Sequence, residues 1–133
     1  MSDRVTSISR GGYATENLIG DHEIAIDSSE EVGPKPVETL LAAYASCFVV
    51  GLRIAARDRG YVDLGRIAIE VTGERDGSGD LTAIEFELQI ERNLDREDRQ
   101  AIVERALDSC HVGAALRSEL QADVNFVDDG EGL

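Results

Sequence analysis

The chain has 133 residues, a length that fits one domain with an ordinary hydrophobic core. It carries 27 acidic and 13 basic residues, for a formal net charge of −14, and its single lysine is Lys35. A field of that sign repels phosphate backbones, so nucleic-acid binding is disfavoured. An acidic, lysine-poor surface is also what a salt-rich cytoplasm favours, because salt screens its charges. A plainly solvated surface is the alternative interpretation.

The first residues, Met1 to Arg4, contain no apolar stretch of the kind found in a secretory signal. The longest apolar stretch, Leu40 to Leu52, covers about 13 residues, which is too short to span a bilayer. We therefore expect a cytoplasmic protein with no membrane partner. A reducing cytosol keeps cysteines as thiols, so a permanent disulfide is not expected.

Residues 1–32 are predicted to form strands. Val5 to Ser9 and His22 to Ile26 are rich in β-favouring residues, and a further strand around Tyr13 to Leu18 would complete an antiparallel meander. A polar loop follows from Asp27 to Lys35, and its glycine and prolines lead directly into a helical pattern.

A long helix is predicted over residues 36–59. Pro36 suits a first helical turn, Glu38 complements the helix dipole, and Gly60 is a typical C-terminal stop. Apolar residues recur at spacings of three and four and form one stripe: Leu40, Ala43, Cys47, Val50 and Ile54. Because the flanking residues are also apolar or small, we expect this helix to be buried on nearly all sides. One sheet covers only one face of a helix, so the pattern predicts a homodimer with two-fold symmetry.

The second half of the chain mixes strands and helices. The predicted elements are a β-hairpin over residues 65–90, helices over 95–120 and a strand over 123–127. Asp95 is the predicted cap of the second helix, and a third helix is predicted from Cys110 to about Leu120. The acidic tail is expected to fray. We predict a single α+β domain over residues 1–133.

Cys47 and Cys110 are the only cysteines, and they lie 63 residues apart. Two thiols alone neither form a zinc site nor usually staple a domain of this size, whereas one attacking and one resolving thiol suffice for peroxide chemistry. Each is also compatible with a small buried hydrophobe. Cys110 stands at the predicted junction of two helices, where backbone N–H groups of the next helix would stabilise a thiolate.

The segment GPKPVETLLAAYASC, which ends at Cys47, and the segment CHVGAAL, which begins at Cys110, resemble the OsmC/Ohr family of osmotically inducible and organic hydroperoxide resistance proteins. The similarity covers nearly the whole chain and is greatest to its short OsmC-like subgroup. It implies an intertwined homodimer in which antiparallel β-sheets wrap long central helices. It also implies thiol-dependent reduction of organic hydroperoxides, with no metal and no cofactor.

Carried over by position, the resemblance makes Cys47 the peroxidatic thiol and Cys110 the resolving thiol. An external dithiol, from a lipoylated or thioredoxin-like protein, would reset the disulfide. The substrate pocket is expected at the dimer interface, lined by four residues of the long helix: Leu40, Leu41, Tyr44 and Phe48.

The family's thiolate clamp pairs an arginine with a glutamate ten residues before the first cysteine. That position is Val37 here, and the nearest carboxylate belongs to Glu38. Arg10 and Arg4 are the candidates for the arginine. His111 stands where the family often has proline, and its imidazolium would lower a thiol pKa unless it is simply a surface histidine.

Three hypotheses follow for the function. The first is a peroxidase acting on apolar organic hydroperoxides. The second is a non-catalytic OsmC-like dimer that keeps its thiols as core residues or in a ligand pocket. The third is a redox sensor whose disulfide alters a partner surface.

Overall fold

The computed structural model describes residues 1–127, so the acidic tail that was expected to fray lies outside the described residues. In chain order the elements are β1 (Val5–Ile8), β2 (Ala14–Ile19), β3 (His22–Asp27), α1 (Pro36–Asp58), β4 (Ile67–Arg75), β5 (Leu81–Ile90), α2 (Arg96–Ser109), α3 (His111–Ala114), a 3-10 turn (Ser118–Leu120) and β6 (Asp123–Phe126). The α+β class predicted from the sequence is confirmed.

The chain groups into two compact units, Met1–Leu40 and the residues from Leu41 onward. The first unit contains the predicted antiparallel meander, with strand order β1-β2-β3. One of its two buried polar residues is Asn17, which accepts a hydrogen bond from the Ser7 hydroxyl at 2.6 Å and donates one to the Ile24 carbonyl at 2.9 Å. Because its side chain is satisfied, its burial carries little cost.

The loop that follows β3 is held by one carboxylate. Asp27 is buried and accepts hydrogen bonds from the hydroxyl and N–H of Ser29 and from two further backbone N–H groups. Its own N–H donates to the Pro34 carbonyl at 2.8 Å. Gly33 lies so close to β3 that a Cβ placed there would be 2.4 Å from the Ala25 carbonyl oxygen. The glycine of this loop is therefore required for packing.

Helix α1 begins and ends close to the predicted residues. Glu38 accepts a hydrogen bond from the Lys35 N–H at 3.0 Å, which is one half of a capping box at the helix start. Gly60, with φ of +92°, follows the helix in a conformation that glycine adopts without strain. Both ends of the helix are thus set by local chemistry that is readable in the sequence.

The expectation that α1 is buried on nearly all sides is wrong for the single chain. One face is buried in the core through Tyr44, Phe48 and Leu52, each 0% exposed. The opposite side includes Val50 and Ile54, which are 57% and 53% exposed. The predicted apolar stripe is thus the outward face of the helix. The inward face is a second apolar row, which the nearly uniform apolar sequence did not distinguish.

Helix α1 is 23 residues long and has a mean hydropathy of 1.7 over its most apolar window, so by length and composition alone it is able to cross a membrane. Core helices of proteins outside membranes pass the same test. In this structure Tyr44 and Phe48 pack on Phe86 of β5, with ring centroids 4.8 and 5.2 Å apart. We therefore assign α1 to the protein's own core.

The second unit contains a sheet of order β4-β5-β6. The predicted hairpin pairs β4 with β5, and side chains of β5 alternate between the core and the exposed face. The expectation of antiparallel sheets needs correction here, because β6 pairs with β5 in parallel. The segment 91–122 is a crossover that contains α2 and α3, and a connection of that length returns the chain to the same end of the sheet.

Helix α2 is capped as predicted, since Asp95 accepts a hydrogen bond from the Asp98 N–H at 2.8 Å. The third helix is much shorter than the predicted segment from Cys110 to Leu120. Helix α3 is a single turn, and a separate 3-10 turn follows it. The Gln121 side chain donates to the Gly113 carbonyl at 2.7 Å and so ties this region together without a continuous helix.

Candidate functional site

Two helices that contact each other bring the two cysteines together. At Gly51 of α1, a Cβ would lie 3.2 Å from the carbonyl oxygen of Ala106 on α2, so the helices approach closely at this point. Cys47 lies one turn before Gly51, and Cys110 lies one turn after Ala106. The two helices run in opposite directions at this contact. Cys47 and Cys110 therefore come together one turn away from Gly51.

The two thiols are free and adjacent, and they differ in burial. Cys47 is half-buried, whereas Cys110 is only 2% exposed. The structure thus places the two cysteines next to each other as free thiols.

The electrostatic surroundings favour the thiolate at Cys47. The backbone N–H of Val112 donates to its sulfur and is the main cause that lowers the pKa of Cys47 below 9.0. Partial burial opposes this effect, while the Cys110 thiol and the N–H of His111 lower the pKa further. Hydrogen bonds to a charged form favour that form, so these donors stabilise the anion.

Cys110 is shifted in the opposite direction. Burial is the main cause that raises the pKa of Cys110 above 9.0, and the neighbouring Cys47 sulfur raises it further. The Gly113 N–H, which donates to the Cys110 sulfur at 3.4 Å, opposes the shift. Backbone donors of α3 were expected to stabilise a thiolate at Cys110. The donor with the largest effect, the N–H of Val112, instead acts on Cys47, because Cys110 is itself the buried cap of that turn.

Tyr44 fixes the turn that supplies these donors. A Cβ on Gly113 would lie 2.9 Å from the Tyr44 ring, so α3 packs directly on this side chain. The Tyr44 hydroxyl accepts the Ala122 N–H at 3.0 Å, and burial is the main cause that raises the pKa of Tyr44. The ring also packs on Phe86. The donors to Cys47 are thus held by a rigid part of the core.

A cavity of about 440 Å³ opens beside Cys47. The residues that line it come from α1, α2 and the start of α3: Cys47, Val50, Gly51, Ile54, Ala55, Arg105, Ser109 and His111. Most of these are apolar or small. The Arg105 guanidinium is paired with the Asp58 carboxylate at 2.7 Å, and His111 follows Cys110 directly. The half-buried thiol therefore faces a largely apolar space with two basic side chains among its lining.

The predicted pocket residues are placed differently. Tyr44 and Phe48 have no exposed surface, so the expectation that they line a substrate pocket is wrong: both belong to the inward row of α1. Leu41 packs partly buried against the same core, and Leu40 is 36% exposed. The residues of the actual cavity come mainly from the outward side of α1, from α2 and from the start of α3.

The clamp residues proposed from the sequence have other contacts in this chain. Glu38 caps the start of α1 through the Lys35 N–H. Arg10 is an exposed side chain that pairs with Glu16 at 3.4 Å. Their roles at the thiolate stay predictions.

Sequence reasoning missed Arg105 and Ser109. Their spacing in the sequence could have indicated them, because they lie one turn apart on α2, near the end of the helix that leads to Cys110. Within residues 1–127, no group of three or more histidine, cysteine, aspartate or glutamate residues is arranged to hold a metal ion.

The fold and site together define an α+β protein in which a long helix presents one thiol and a helix junction presents a second. Residues 27–125 match the model of the OsmC-like protein family. A protein of Haloferax volcanii, described as uncharacterized, is 42% identical over 130 residues, covering 97% of this chain and 98% of that one. The chain therefore belongs to the OsmC family.

Solved structures show the same fold at low identity. An OsmC-like protein from Mycoplasma pneumoniae is 18% identical, covers 96% of each chain and has a TM-score of 0.84. The organic hydroperoxide resistance protein OhrB of Bacillus subtilis is 24% identical, covers 96% of this chain and 98% of its own, and has a TM-score of 0.72. At these identities the likeness concerns the fold alone.

Proposed function

We propose that this protein is a thiol-dependent peroxidase that reduces organic hydroperoxides through Cys47 and Cys110. The observation that carries the proposal is a pair of adjacent thiols, with pKa values shifted in opposite directions, beside a largely apolar cavity. The thiol with the lowered pKa lines the cavity, and the thiol with the raised pKa is buried next to it. Family membership suggests a role in osmotic or peroxide stress, which is consistent with this chemistry.

The difference between the thiols assigns their roles. The Cys47 thiolate attacks the distal oxygen of the peroxide, a sulfur–oxygen bond forms and the oxygen–oxygen bond breaks. The sulfur is oxidised to a sulfenic acid, and the peroxide is reduced to an alcohol once its alkoxide gains a proton. Cys110 loses its proton, attacks the sulfenic sulfur and displaces water, which leaves a disulfide. An external dithiol, of lipoylated or thioredoxin-like type, then reduces the disulfide by exchange.

The cavity suggests the substrate class. Val50, Ile54 and Ala55 give it an apolar wall, which favours hydroperoxides with hydrocarbon groups over hydrogen peroxide. Its volume of about 440 Å³ lies within the usual range for small-molecule sites.

We also propose that two chains associate through the outward face of α1. Val50 and Ile54 leave apolar surface in water on a helix that otherwise packs in the core. Covering that surface with the same face of a second copy buries both at once. Because both residues also line the cavity, a second copy placed there would complete its wall.

The first experiment counts thiols. The fully reduced protein is treated with one equivalent of cumene hydroperoxide, and free thiols are titrated before and after. The peroxidase proposal expects two thiols per chain to be lost, followed by multiple turnovers when a dithiol reductant is supplied. No loss of thiols would refute it, and loss without turnover would favour the redox sensor.

Two serine variants test the separate roles. Cys47→Ser should abolish peroxide consumption, because the attacking sulfur is gone. Cys110→Ser should still react once and leave a sulfenic acid at Cys47 that a dimedone-type reagent traps, but should not turn over. Reaction of Cys47→Ser at the wild-type rate would show that the roles are assigned wrongly.

A non-catalytic dimer remains the second candidate, and one observation favours it. The carboxylate nearest to the family's clamp position, Glu38, is engaged in capping its own helix. A protein that had lost the clamp would keep both thiols and the cavity yet fail to oxidise Cys47 with any alkyl hydroperoxide.

A further inference from the structure

Peroxide cleavage by a thiolate leaves a strong base behind. An alkoxide is a poor leaving group unless it gains a proton as the oxygen–oxygen bond breaks, so a positioned acid accelerates the step. Cys47 is the proposed nucleophile, so the acid must come from another group near it. The candidate donors are the residues that line the cavity.

Of the residues lining this cavity, one carries a side chain of suitable acidity. A serine hydroxyl such as that of Ser109 is too weak an acid, guanidinium groups do not release a proton in proteins, and the guanidinium of Arg105 is paired with Asp58. Imidazole, by contrast, exchanges a proton near neutral pH. His111 is the residue of this lining with that side chain.

We propose that His111 is a catalytic residue that protonates the leaving alkoxide when Cys47 attacks an organic hydroperoxide. The proposal rests on the proposed peroxidase function and adds a group to it. Its geometric basis is that His111 and Cys47 line one cavity. A peroxide bound in this cavity beside the Cys47 sulfur would therefore lie against His111 as well.

The fold gives His111 this position through Cys110. Cys110 ends α2 and caps α3, so His111 is the first residue of α3. The turn is held by the Tyr44 ring against Gly113. The same packing that sets the donors to Cys47 therefore fixes the attachment point of the imidazole.

The step balances with His111 as the acid. The thiolate gains the distal oxygen with its hydrogen and becomes the sulfenic acid, while the oxygen–oxygen bond breaks and its electron pair goes to the proximal oxygen. That oxygen takes the imidazolium proton and leaves as an alcohol. The neutral imidazole then takes a proton from water before the next turnover.

The experiment compares two oxidants that differ in their leaving groups. The alkoxide of tert-butyl hydroperoxide needs a proton, whereas the acetate released by peracetic acid is stable without one. Single-turnover rates of thiol loss are measured by stopped flow for the wild-type protein and for His111→Gln. The matched control is His22→Gln, the same change at an exposed histidine of β3.

In His111→Gln, the rate with tert-butyl hydroperoxide should fall about 100-fold, which is within the usual contribution of a general acid. The rate with peracetic acid should stay close to that of the wild type. His22→Gln should change neither. Alkylation of Cys47 by iodoacetamide is measured in both variants as well, because it reports any change in the thiolate itself and involves no alkoxide.

Two results separate the inference from the function on which it rests. If the wild-type protein reduces tert-butyl hydroperoxide and His111→Gln keeps the same ratio of the two rates, His111 is not the acid and the peroxidase function stands. If wild-type Cys47 reacts with peracetic acid yet not with any alkyl hydroperoxide, the peroxidase function fails, and the role of His111 fails with it.

Discussion

Replacing Gly113 with alanine should weaken the thiolate at Cys47 without touching either sulfur. The added Cβ would lie 2.9 Å from the Tyr44 ring, closer than real side-chain contacts allow. The ring is unable to yield easily, because it is 0% exposed, packs on Phe86 and accepts the Ala122 N–H. The turn α3 must therefore shift, and the N–H of Val112 shifts with it.

The expected size of the effect follows from the lost hydrogen bond. A hydrogen bond to a charged group is worth about 1.5–3 kcal/mol, so losing the Val112 donor should destabilise the thiolate relative to the thiol by about that amount and raise the pKa of Cys47. Overpacking of the Tyr44 contact should also lower the free energy of unfolding by about 1–3 kcal/mol. The two effects are separable, because they are measured by different assays.

The assay is the rate of Cys47 alkylation by iodoacetamide as a function of pH, in a Cys110→Ser background that leaves one thiol. Gly113→Ala should move the midpoint upward. Gly77→Ala is the matched control, because a Cβ at that exposed turn meets nothing within 4 Å. An unchanged midpoint in a Gly113→Ala protein that is measurably destabilised would refute the reasoning, since the donors of α3 would then not control the thiolate.

Four further predictions follow from other parts of the structure. Glu38→Ala should cost about 0.3–1 kcal/mol in the free energy of unfolding and leave Cys47 oxidation unchanged if Glu38 only caps its helix; slower oxidation would instead indicate a clamp. Ile54→Asp should yield folded monomers of 14.4 kDa in sedimentation, whereas Val62→Asp in an exposed loop should not, and dimers in both variants would contradict the proposed interface. The hydrogen bond from the Ser29 hydroxyl is the main cause that lowers the pKa of Asp27. The Asp27 carboxylate therefore stabilises the folded protein fully above pH 3.8, and this stabilisation is lost as the pH falls below that value. The Tm difference between wild type and Asp27→Asn should therefore shrink below pH 3.8, and a constant difference would count against this account. Finally, the Tm should rise between low salt and molar KCl, because screening relieves the repulsion of a net charge of −14, and a flat or falling Tm would oppose that view.

Local patterns predicted most of the secondary structure. The alternation in β5, the Asp95 cap and the stop at Gly60 each depend on neighbouring residues, so the sequence reveals them directly. Cys47 and Cys110 were also readable as candidate site residues, because they are the only thiols and their surroundings resemble a known family.

What the sequence did not reveal depends on distant contacts. Two apolar rows run along α1, and only packing on β5 shows that the row of Tyr44 faces inward. The short α3 depends on Gln121, which lies beyond it in the chain and bonds back to Gly113. The direction of the pKa shifts at the two thiols also depends on tertiary structure, because the N–H of Val112 reaches a sulfur on another helix.

The tight packing of Gly33 has a consequence for how related sequences are interpreted. The Gly-Pro segment is required because the loop lies directly against Ala25, while the Asp27 carboxylate ties the rest of the loop together. The segment therefore reports how the chain enters its long helix. A relative with this segment should therefore share the loop and the helix entry, whether or not it has the two cysteines.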